Sequence, residues 1–401
     1  MHGTPPQSIP TPGVTIRPLT GQDLAAAAAL AEFAFQFQYS EPERAGRERG
    51  LASGHELGVF EDGRLLASLV INPFTVSLAG GFVGCGGLGL VASWPEARRQ
   101  GRVGRLLSES LRVMRARGQV LSMLYPFKAA FYRRYGWEAA GYVDQARIAP
   151  SDLNGFVRRG HGVSPFRRLP EHGAQWRELE PDYERLMERY NGLARREPTR
   201  WTEVLLAAGR EAVAWPGHGY IVYSVKGNEA RIHELVALDL EAEVSAYAHL
   251  AQLDSMAKTI SLDLPPDSLF TWLEGAPGVS VTRTPTIMVR VVDLAALVET
   301  YKFTHGQDER FTLCVHDEHA PWNAGNWTLT VDRDGNGGLE PRADAGEPDL
   351  TLGIQALAAA MVGAAPLSAL VAAGRAFGLS EAAERMSRRL DRRPPYSLDF
   401  F

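Results

Sequence analysis

Hydrophobic positions along the chain change period several times, and each change marks a new element. Residues 14–19 alternate as a first strand, and Thr20-Gly-Gln-Asp23 offers N-caps to a helix running through Phe35. Its apolar face carries Leu24, Ala28, Ala31 and Phe35 at helical spacing. Residues 41–50 are charged and start a second helix. From Glu56 the period shortens to two: 57–60 and 64–71 form a hairpin about Glu61-Asp62-Gly63, and 74–79 and 81–91 continue as strands. The last of these carries Gly84, Gly86, Gly87 and Gly89, which weaken a strand and point to a bulge or a close backbone approach. A helical period returns over 103–117, with Leu106, Leu107, Leu111 and Met114 inward and Gly118 in the C-cap place. A short buried strand over 120–125, a basic helix over 127–135 ended by Gly136, and a strand over 137–148 follow.

The remainder divides in two. Helices over 181–195 and 198–208, each with a proline suited to the first turn, precede strands over 219–225 and 230–238 and a helix over 244–256. After residue 296 come strands over 312–316, 326–332 and 349–353, helices over 354–362 and 366–373, and a basic helix over 380–390. The expected organisation is a disordered leader over 1–13, rich in proline, glycine and threonine, then units at 14–150, 151–295 and 296–401. The fold class is α+β, with mixed sheets flanked by helices.

Composition narrows the function. A chain of 401 residues, 45% hydrophobic and 22% charged, is long enough for two or three domains. A net charge of −5 argues against a nucleic-acid partner, whose binding domain would be strongly basic. Residues 65–95 and 350–374 lack charge, but Asn72-Pro73 and Gly80-Gly81 break the first, Gly363 and Pro366 cut the second, and no membrane span is expected. The N-terminus lacks the basic and apolar regions of a signal peptide, and Cys85 and Cys314 make no disulfide framework, so a reducing cytoplasm is the expected compartment. No metal is expected. His316-Asp-Glu-His319 supplies at most part of a zinc site, and the calcium-like run from Asp332 has Ala343 where a bidentate glutamate is needed.

The chemistry centres on residues 91–107, an apolar run that meets Pro95 and then a basic turn opening a helix. Arg98, Arg99 and Arg102 surround Gly101 and Gly104, so backbone N–H groups at a helix N-terminus sit among fixed positive charges, an anion cradle. The element order, with Arg98-Arg99-Gln100-Gly101-Arg102-Val103 after the fourth strand and Phe131-Tyr132-Arg133-Arg134-Tyr135-Gly136-Trp137 after the fifth, resembles the GNAT superfamily of acetyl-CoA-dependent N-acetyltransferases. Val103 stands where that superfamily prefers Gly or Ala. The middle part looks like a degenerate second GNAT copy, with Asp239, Glu241 and Glu243 where an anion loop would lie, and the last part is similar to a sterol-carrier fold. Together the three resemble the enhanced intracellular survival (Eis) family.

That resemblance implies acetyl-CoA as co-substrate, with Arg98 to Gly104 around the pyrophosphate, Val91, Ala92 and Ser93 pairing with the pantetheine arm, and Phe127 and Lys128 beside it. It implies Tyr132 as the general acid for the thiolate, with Tyr135 as core packing. It further implies the α-carboxylate of Phe401 as the general base, at the end of Pro394-Pro395-Tyr396-Ser397-Leu398-Asp399-Phe400-Phe401. It also implies a small-molecule amine as acceptor and a hexameric assembly. A polycationic aminoglycoside calls for an acidic pocket. The acceptor side here, with Phe33, Gln36, Phe37, Asp399 and Phe400, is aromatic and poor in acids, so an amine with an apolar or aromatic body, or a weak aminoglycoside activity, is expected. The rival expectations are a non-catalytic protein that binds coenzyme A and holds lipid through Leu357, Leu367, Leu370 and Phe377, and a tandem-GNAT enzyme making a thiol metabolite.

Overall fold

The computed structural model describes residues 13–40, 43–44, 46–47, 54–159, 164–169, 175–268, 270–273, 279–343 and 346–401. The expected leader, except Gly13, and most of the expected helix over 41–50 lie outside those residues. The first part of the chain supplies strands β1 (Val14–Pro18), β2 (Glu56–Glu61), β3 (Arg64–Leu78), β4 (Gly81–Ser93), β5 (Leu121–Leu124), β6 (Glu138–Ala139) and β7 (Tyr142–Ile148). The middle supplies β8 (Arg167–Arg168), β9 (Glu211–Trp215), β10 (Gly219–Lys226), β11 (Glu229–Ala237), β12 (Thr259–Leu264), β13 (Ser280–Pro285) and β14 (Met288–Val291). The last part adds β15 (Glu309–His316), β16 (Gly325–Val331), β17 (Gly337–Pro341), β18 (Leu350–Gly353) and β19 (Ala376–Gly378).

These strands form three sheets, ordered β1-β2-β3-β4-β5-β14-β6, β13-β7-β12-β11-β10-β9-β8 and β17-β16-β15-β18-β19. The first two are built alike. Among the described residues each is antiparallel except for one parallel pair, β4 with β5 and β11 with β12, joined by the helices Arg102–Ala116 and Leu240–Ala251. They also exchange strands: β7 lies between β12 and β13, and β14 lies between β5 and β6. The strand expected over 137–148 is therefore cut at Gly141, whose backbone pairs with Thr286 and Ile287, and its halves enter different sheets.

Three other expectations are corrected by tertiary pairing. The strands expected at 64–71 and 74–79 are one strand, β3. Pro73 pairs with Gly86 on β4 where β2 has already ended opposite Val70, and such an edge tolerates a proline. The helix expected over 181–195 is Trp176–Met187, with Pro181 inside it. Beyond it the chain runs extended along β3: the Ser77 N–H donates to the Leu193 carbonyl at 2.9 Å and the Arg195 N–H to that of Thr75 at 2.8 Å. In the expected helix over 198–208, residues Arg200–Leu205 are wound as a wide π-turn.

Each face of the first sheet is covered differently. Leu106, Leu107, Leu111 and Met114 of the helix Arg102–Ala116 are buried against one face, each buried leucine contributing about 1.5–3 kcal/mol. The other face shares one core with the third sheet, where Val83, Cys85, Leu121 and Val289 meet Phe311, Leu313, Leu350 and Leu357. Among the described residues no helix is long and apolar enough to cross a membrane.

A buried ion pair ties these layers together. The Arg290 side chain on β14, fully enclosed, donates to Asp317 Oδ1 at 2.7 Å, to the Tyr135 carbonyl at 2.9 Å and to the Val291 carbonyl at 2.6 Å. Removing one partner of such a pair leaves an uncompensated charge in a dry interior, so Asp317→Ala should destabilise the protein by about 3–5 kcal/mol. A urea midpoint unchanged from the parent would contradict that role.

Candidate active site

The first sheet opens where β4 and β5 part. Their parallel pairing runs from Cys85 opposite Leu121 to Leu88 opposite Leu124, and β4 then continues to Ser93. The register against β3 shifts between Ser68 and Val70, where Leu90 adopts a φ of 47°. This bulge turns β4 away and leaves the backbone of 89–93, including Val91, Ala92 and Ser93, as a free edge to which an extended chain of amides can add. The glycines of β4 serve close approach as well. A Cβ at Gly86 would lie 2.1 Å from the Met114 sulfur, and one at Gly87 would lie 2.4 Å from the Phe74 ring and 2.6 Å from the Phe401 ring.

After β4, a short turn at Pro95–Ala97 leads to Arg99 at φ 59° and Gly101 at φ 74°, and Gly101 is the N-cap of Arg102–Ala116. No side chain caps that helix. Its first-turn N–H groups, together with a loop holding two left-handed residues, form a concavity for an anion. Arg98 and Arg99 are exposed and have no anionic partner among the described residues. Arg102 differs: its guanidinium donates to both oxygens of Glu61 at 2.9 Å, which neutralises much of its charge. Gln100 is exposed and donates to the Glu96 carbonyl at 3.1 Å, and Val103 is half-buried. Gly104 lies under Tyr135, whose hydroxyl would be 2.3 Å from a Cβ there. At the matching place in the second sheet, Asp239 accepts the Ala242 N–H at 2.7 Å and caps the helix Leu240–Ala251. The expected carboxylates thus close the second helix against anions.

Tyr132 lies in the helix Ala129–Arg133, buried against Phe127 and Phe131 at centroid distances of 5.4 and 5.2 Å. Its hydroxyl has no hydrogen-bond partner among the described residues, and burial holds its pKa well above the ordinary phenol value. Phe127 and Lys128 are exposed beside it. Tyr132 shares a core cluster with Leu88, whose side chain alternates to the face opposite Gly87 and Gly89. Tyr132 and Phe401 thus approach the opening from opposite faces of β4.

The chain terminus is held in place by charge. Asp399, buried, accepts from Arg196 Nε at 3.0 and 3.1 Å, from Arg200 Nε at 2.9 Å and from the Tyr183 hydroxyl at 3.2 Å. Arg196 also donates to both oxygens of Glu234 at 2.8 and 2.6 Å, and Arg200 donates to the Phe400 carbonyl. The Tyr125 hydroxyl donates to the Asp399 carbonyl at 3.0 Å. The Phe401 ring meets Phe74 at 4.8 Å and Tyr125 at 5.5 Å, beside a cavity of about 380 Å³ lined also by Leu90 and Arg200. Phe400 turns its ring onto Tyr125 at 4.7 Å and is largely exposed. Asp399 is therefore engaged in seating the tail.

The aromatic segment around the end of the first helix, Leu24–Phe35, packs beside the turn that follows β4. The Phe33 ring meets Trp94, just before the turn at Pro95–Ala97, at 5.1 Å, and Phe37 meets Tyr39 at 4.7 Å. Gln36, at φ 59°, donates to the Phe33 carbonyl at 2.6 Å. The Phe33 ring thus joins this segment to the end of β4, and the Phe37 contact stays within the segment. Arg196, Glu234, Tyr183, Tyr125 and Arg200 were not readable as site residues. Their partners lie tens to hundreds of positions away, and no local spacing signals such a network. Among the described residues no group of three or more His, Cys, Asp or Glu side chains is placed to hold a metal.

Comparison with known proteins finds two acetyltransferase (GNAT) domains, over residues 15–140 and 187–291, and a sterol carrier protein domain over 294–398. An uncharacterized N-acetyltransferase of Streptomyces avermitilis is 26% identical, over 91% of this chain and 92% of its own length. N-acetyltransferase Eis of Mycobacterium tuberculosis is 26% identical over 76% of each chain. A GCN5-related N-acetyltransferase from Kribbella flavida, solved by crystallography, superposes with a TM-score of 0.81 at 26% identity, covering 97% of this chain and 98% of its own.

Two substitutions test the seating of the tail. Asp399→Asn removes the charge that Arg196 and Arg200 share, and carboxypeptidase should then release Phe401 about tenfold faster or more, as for loss of a charge-assisted hydrogen bond. Gly87→Ala, which pushes a methyl group into the Phe401 ring, should act in the same direction. Release at the parental rate in both would show that neither contact holds the terminus.

Proposed function

Because the chain belongs to the Eis-like N-acetyltransferases of the GNAT superfamily, with two acetyltransferase domains and a sterol-carrier domain, we propose that it transfers acetyl directly from acetyl-CoA to a small primary amine at the β4–β5 opening. Two residues act on the reacting atoms: Tyr132 protonates the departing thiolate, and the Phe401 carboxylate receives or orients the amine proton. The observation that carries this is the opposed placement of the two groups. A buried phenol without a partner lies on one face of β4, and the chain terminus, tethered through Asp399, lies on the other.

The remaining roles follow from geometry. The uncapped helix start and the left-handed residues Arg99 and Gly101 suit a diphosphate, with Arg98 and Arg99 supplying the free charge and Arg102 acting mainly through its bond to Glu61. The edge at Val91 to Ser93 takes the amides of the cofactor arm. The amine nitrogen attacks the acyl carbon, the carbon–sulfur bond breaks, the thiolate takes the Tyr132 proton, and the ammonium proton leaves toward Phe401. A free α-carboxylate has a pKa of roughly 3.3–3.7, so it works through water or by orientation rather than as a strong base. Phe74, Pro73 and Leu90 beside Phe401 fit an acceptor with an apolar body. Of the four residues of the rival lipid-holding reading, Leu357 and Leu367 are buried in the core shared with the first sheet, Leu370 packs against that core half-buried, and Phe377 is exposed.

Tyr132→Phe, or deletion of Phe401, should lower kcat by about 100-fold, the scale of a lost proton-transfer group, with little change in the KM for acetyl-CoA. Parental kcat in both variants would refute the assigned roles. Because burial raises the Tyr132 pKa, the phenol stays protonated above its ordinary range. The rate should therefore climb as the amine deprotonates and show no fall near pH ~10, where an ordinary tyrosine ionises. A fall there that Tyr132→Phe abolishes would count against the shift.

A further inference from the structure

No contact at its tip aims Tyr132. Its hydroxyl has no hydrogen-bond partner among the described residues, so the reach of the phenol is set by ring packing and by where its helix sits. That helix, Ala129–Arg133, has five residues, too few to hold its place by internal hydrogen bonds, and no side chain caps its start. Its end is held from outside. Gln355 Nε2, on the helix Ile354–Met361, donates to the Arg133 carbonyl at 3.0 Å. His319 Nε2, between β15 and β16, lies 3.1 Å from the Arg134 carbonyl, and Arg290 Nε donates to the Tyr135 carbonyl at 2.9 Å. Three consecutive carbonyls thus each take a side chain from far along the chain, two of them from the sterol-carrier domain. Glu138, just beyond, accepts from Arg133 and from Arg375 of that domain, each at 2.5 Å.

His319 also reaches the other half of the opening. A carbonyl only accepts, so Nε2 carries the proton toward Arg134, and in the neutral ring Nδ1 is left to accept from the Ser108 hydroxyl, 3.1 Å away on the helix Arg102–Ala116. The same ring meets Tyr135 at 4.8 Å, and the Tyr135 hydroxyl fills the space beside Gly104 in the first turn of that helix. Asp317 fixes the loop, accepting the His319 and Ala320 N–H groups at 3.1 and 3.0 Å while it pairs with Arg290. A phenol that protonates a thiolate must come within hydrogen-bond reach of the sulfur, and a misplacement of about 1 Å can cost about 100-fold in rate. We propose, resting on the acetyl-transfer reading above, that His319 and Gln355 are positioning residues for Tyr132, through which the sterol-carrier domain sets the distance between the phenol and the bound thioester. His319 registers the Tyr132 helix against the helix at the anion loop, and Gln355 fixes its end. Both act through the backbone of residues 133–135 and leave the reacting atoms to Tyr132.

The test is a double-mutant cycle in the full-length protein, with release of free coenzyme A from acetyl-CoA followed on 2-phenylethylamine and on kanamycin. His319→Ala and Gln355→Ala should each lower kcat by about tenfold or more, with little change in the KM for acetyl-CoA. His319→Gln, which keeps an N–H donor, should recover part of the loss. In the Tyr132→Phe background the same substitutions should lower kcat by less than about twofold, because no proton donor is left to misplace. Losses as large in Tyr132→Phe as in the parent, parental kcat in both single variants, or unfolding of both at the assay temperature would overturn the positioning role and leave Tyr132 as the acid. Parental kcat in Tyr132→Phe itself, or no release with either amine from a protein that binds acetyl-CoA, would overturn the acetyl-transfer reading and the positioning role with it.

Discussion

The buried carboxylate of Asp399 is the contact on which the rest of the site depends. Two positions before its end, where most chains fray, the polypeptide gives up the hydration of one carboxylate and one guanidinium, a cost of several kcal/mol per ion. Only a full set of partners offsets it. Arg196 spans Asp399 and Glu234, the Tyr220 hydroxyl donates to Glu234 at 2.5 Å, and Arg200 and Tyr183 complete Asp399. Such a network adds little net stability compared with apolar packing, but it tolerates one register. A one-residue slip would put Leu398 or Phe400 between the arginines, so the position of the terminal carboxylate is fixed by charge pairing.

The opening itself follows from a second constraint, the conflict between sheet pairing and close approach. β4 must pass under Met114 on one face and under Phe74 and Phe401 on the other, and only glycine permits both at Gly86 and Gly87. The same run of glycines weakens the strand, and the bulge at Leu90 lies just after it. A strand this poor in side chains holds its place because β3 pairs with it along nearly its whole length and the shared core presses on it from the third sheet. The sterol-carrier domain thus acts as a buttress. Its apolar face is filled by the first sheet, and its last residues become part of the site.

Much of this was legible locally. The β4 glycines, the turn around Gly101 and the Asp239 cap are short-range features, set by backbone sterics and by the few groups that can satisfy a helix end, so their meaning survived into three dimensions. The three-part order was readable because each part carries its own hydrophobic period. What failed was whatever depends on a distant strand. Pro73 looks like a break until β2 is seen to stop short of it, residues 190–195 look helical until β3 claims their backbone, and Gly141 looks unremarkable until β14 divides the strand there. Arg102 reads as a free cation until Glu61, 41 positions away, takes it up. The strands β12, β13 and β14 lie in stretches whose weak alternation acquires meaning only from the exchange between sheets.

The two GNAT copies show what separates a binding loop from a spacer on one backbone plan. Both place a helix N-terminus after the strand that opens the parallel pair, so both begin with the same partial positive charge. In the second, Asp239 satisfies a first-turn N–H, and Glu243 accepts from Tyr247 and Ser268. That end is neutralised from within and needs no ligand. In the first, Gly101 offers no side chain, and among the described residues the N–H groups stay unpaired and the two arginines beside them find no acid. A helix start left this way is less favourable than a capped one, and the missing cap is what suits this end to an anion. Unmatched positive charge therefore marks the loop as the end of the opening suited to an anion.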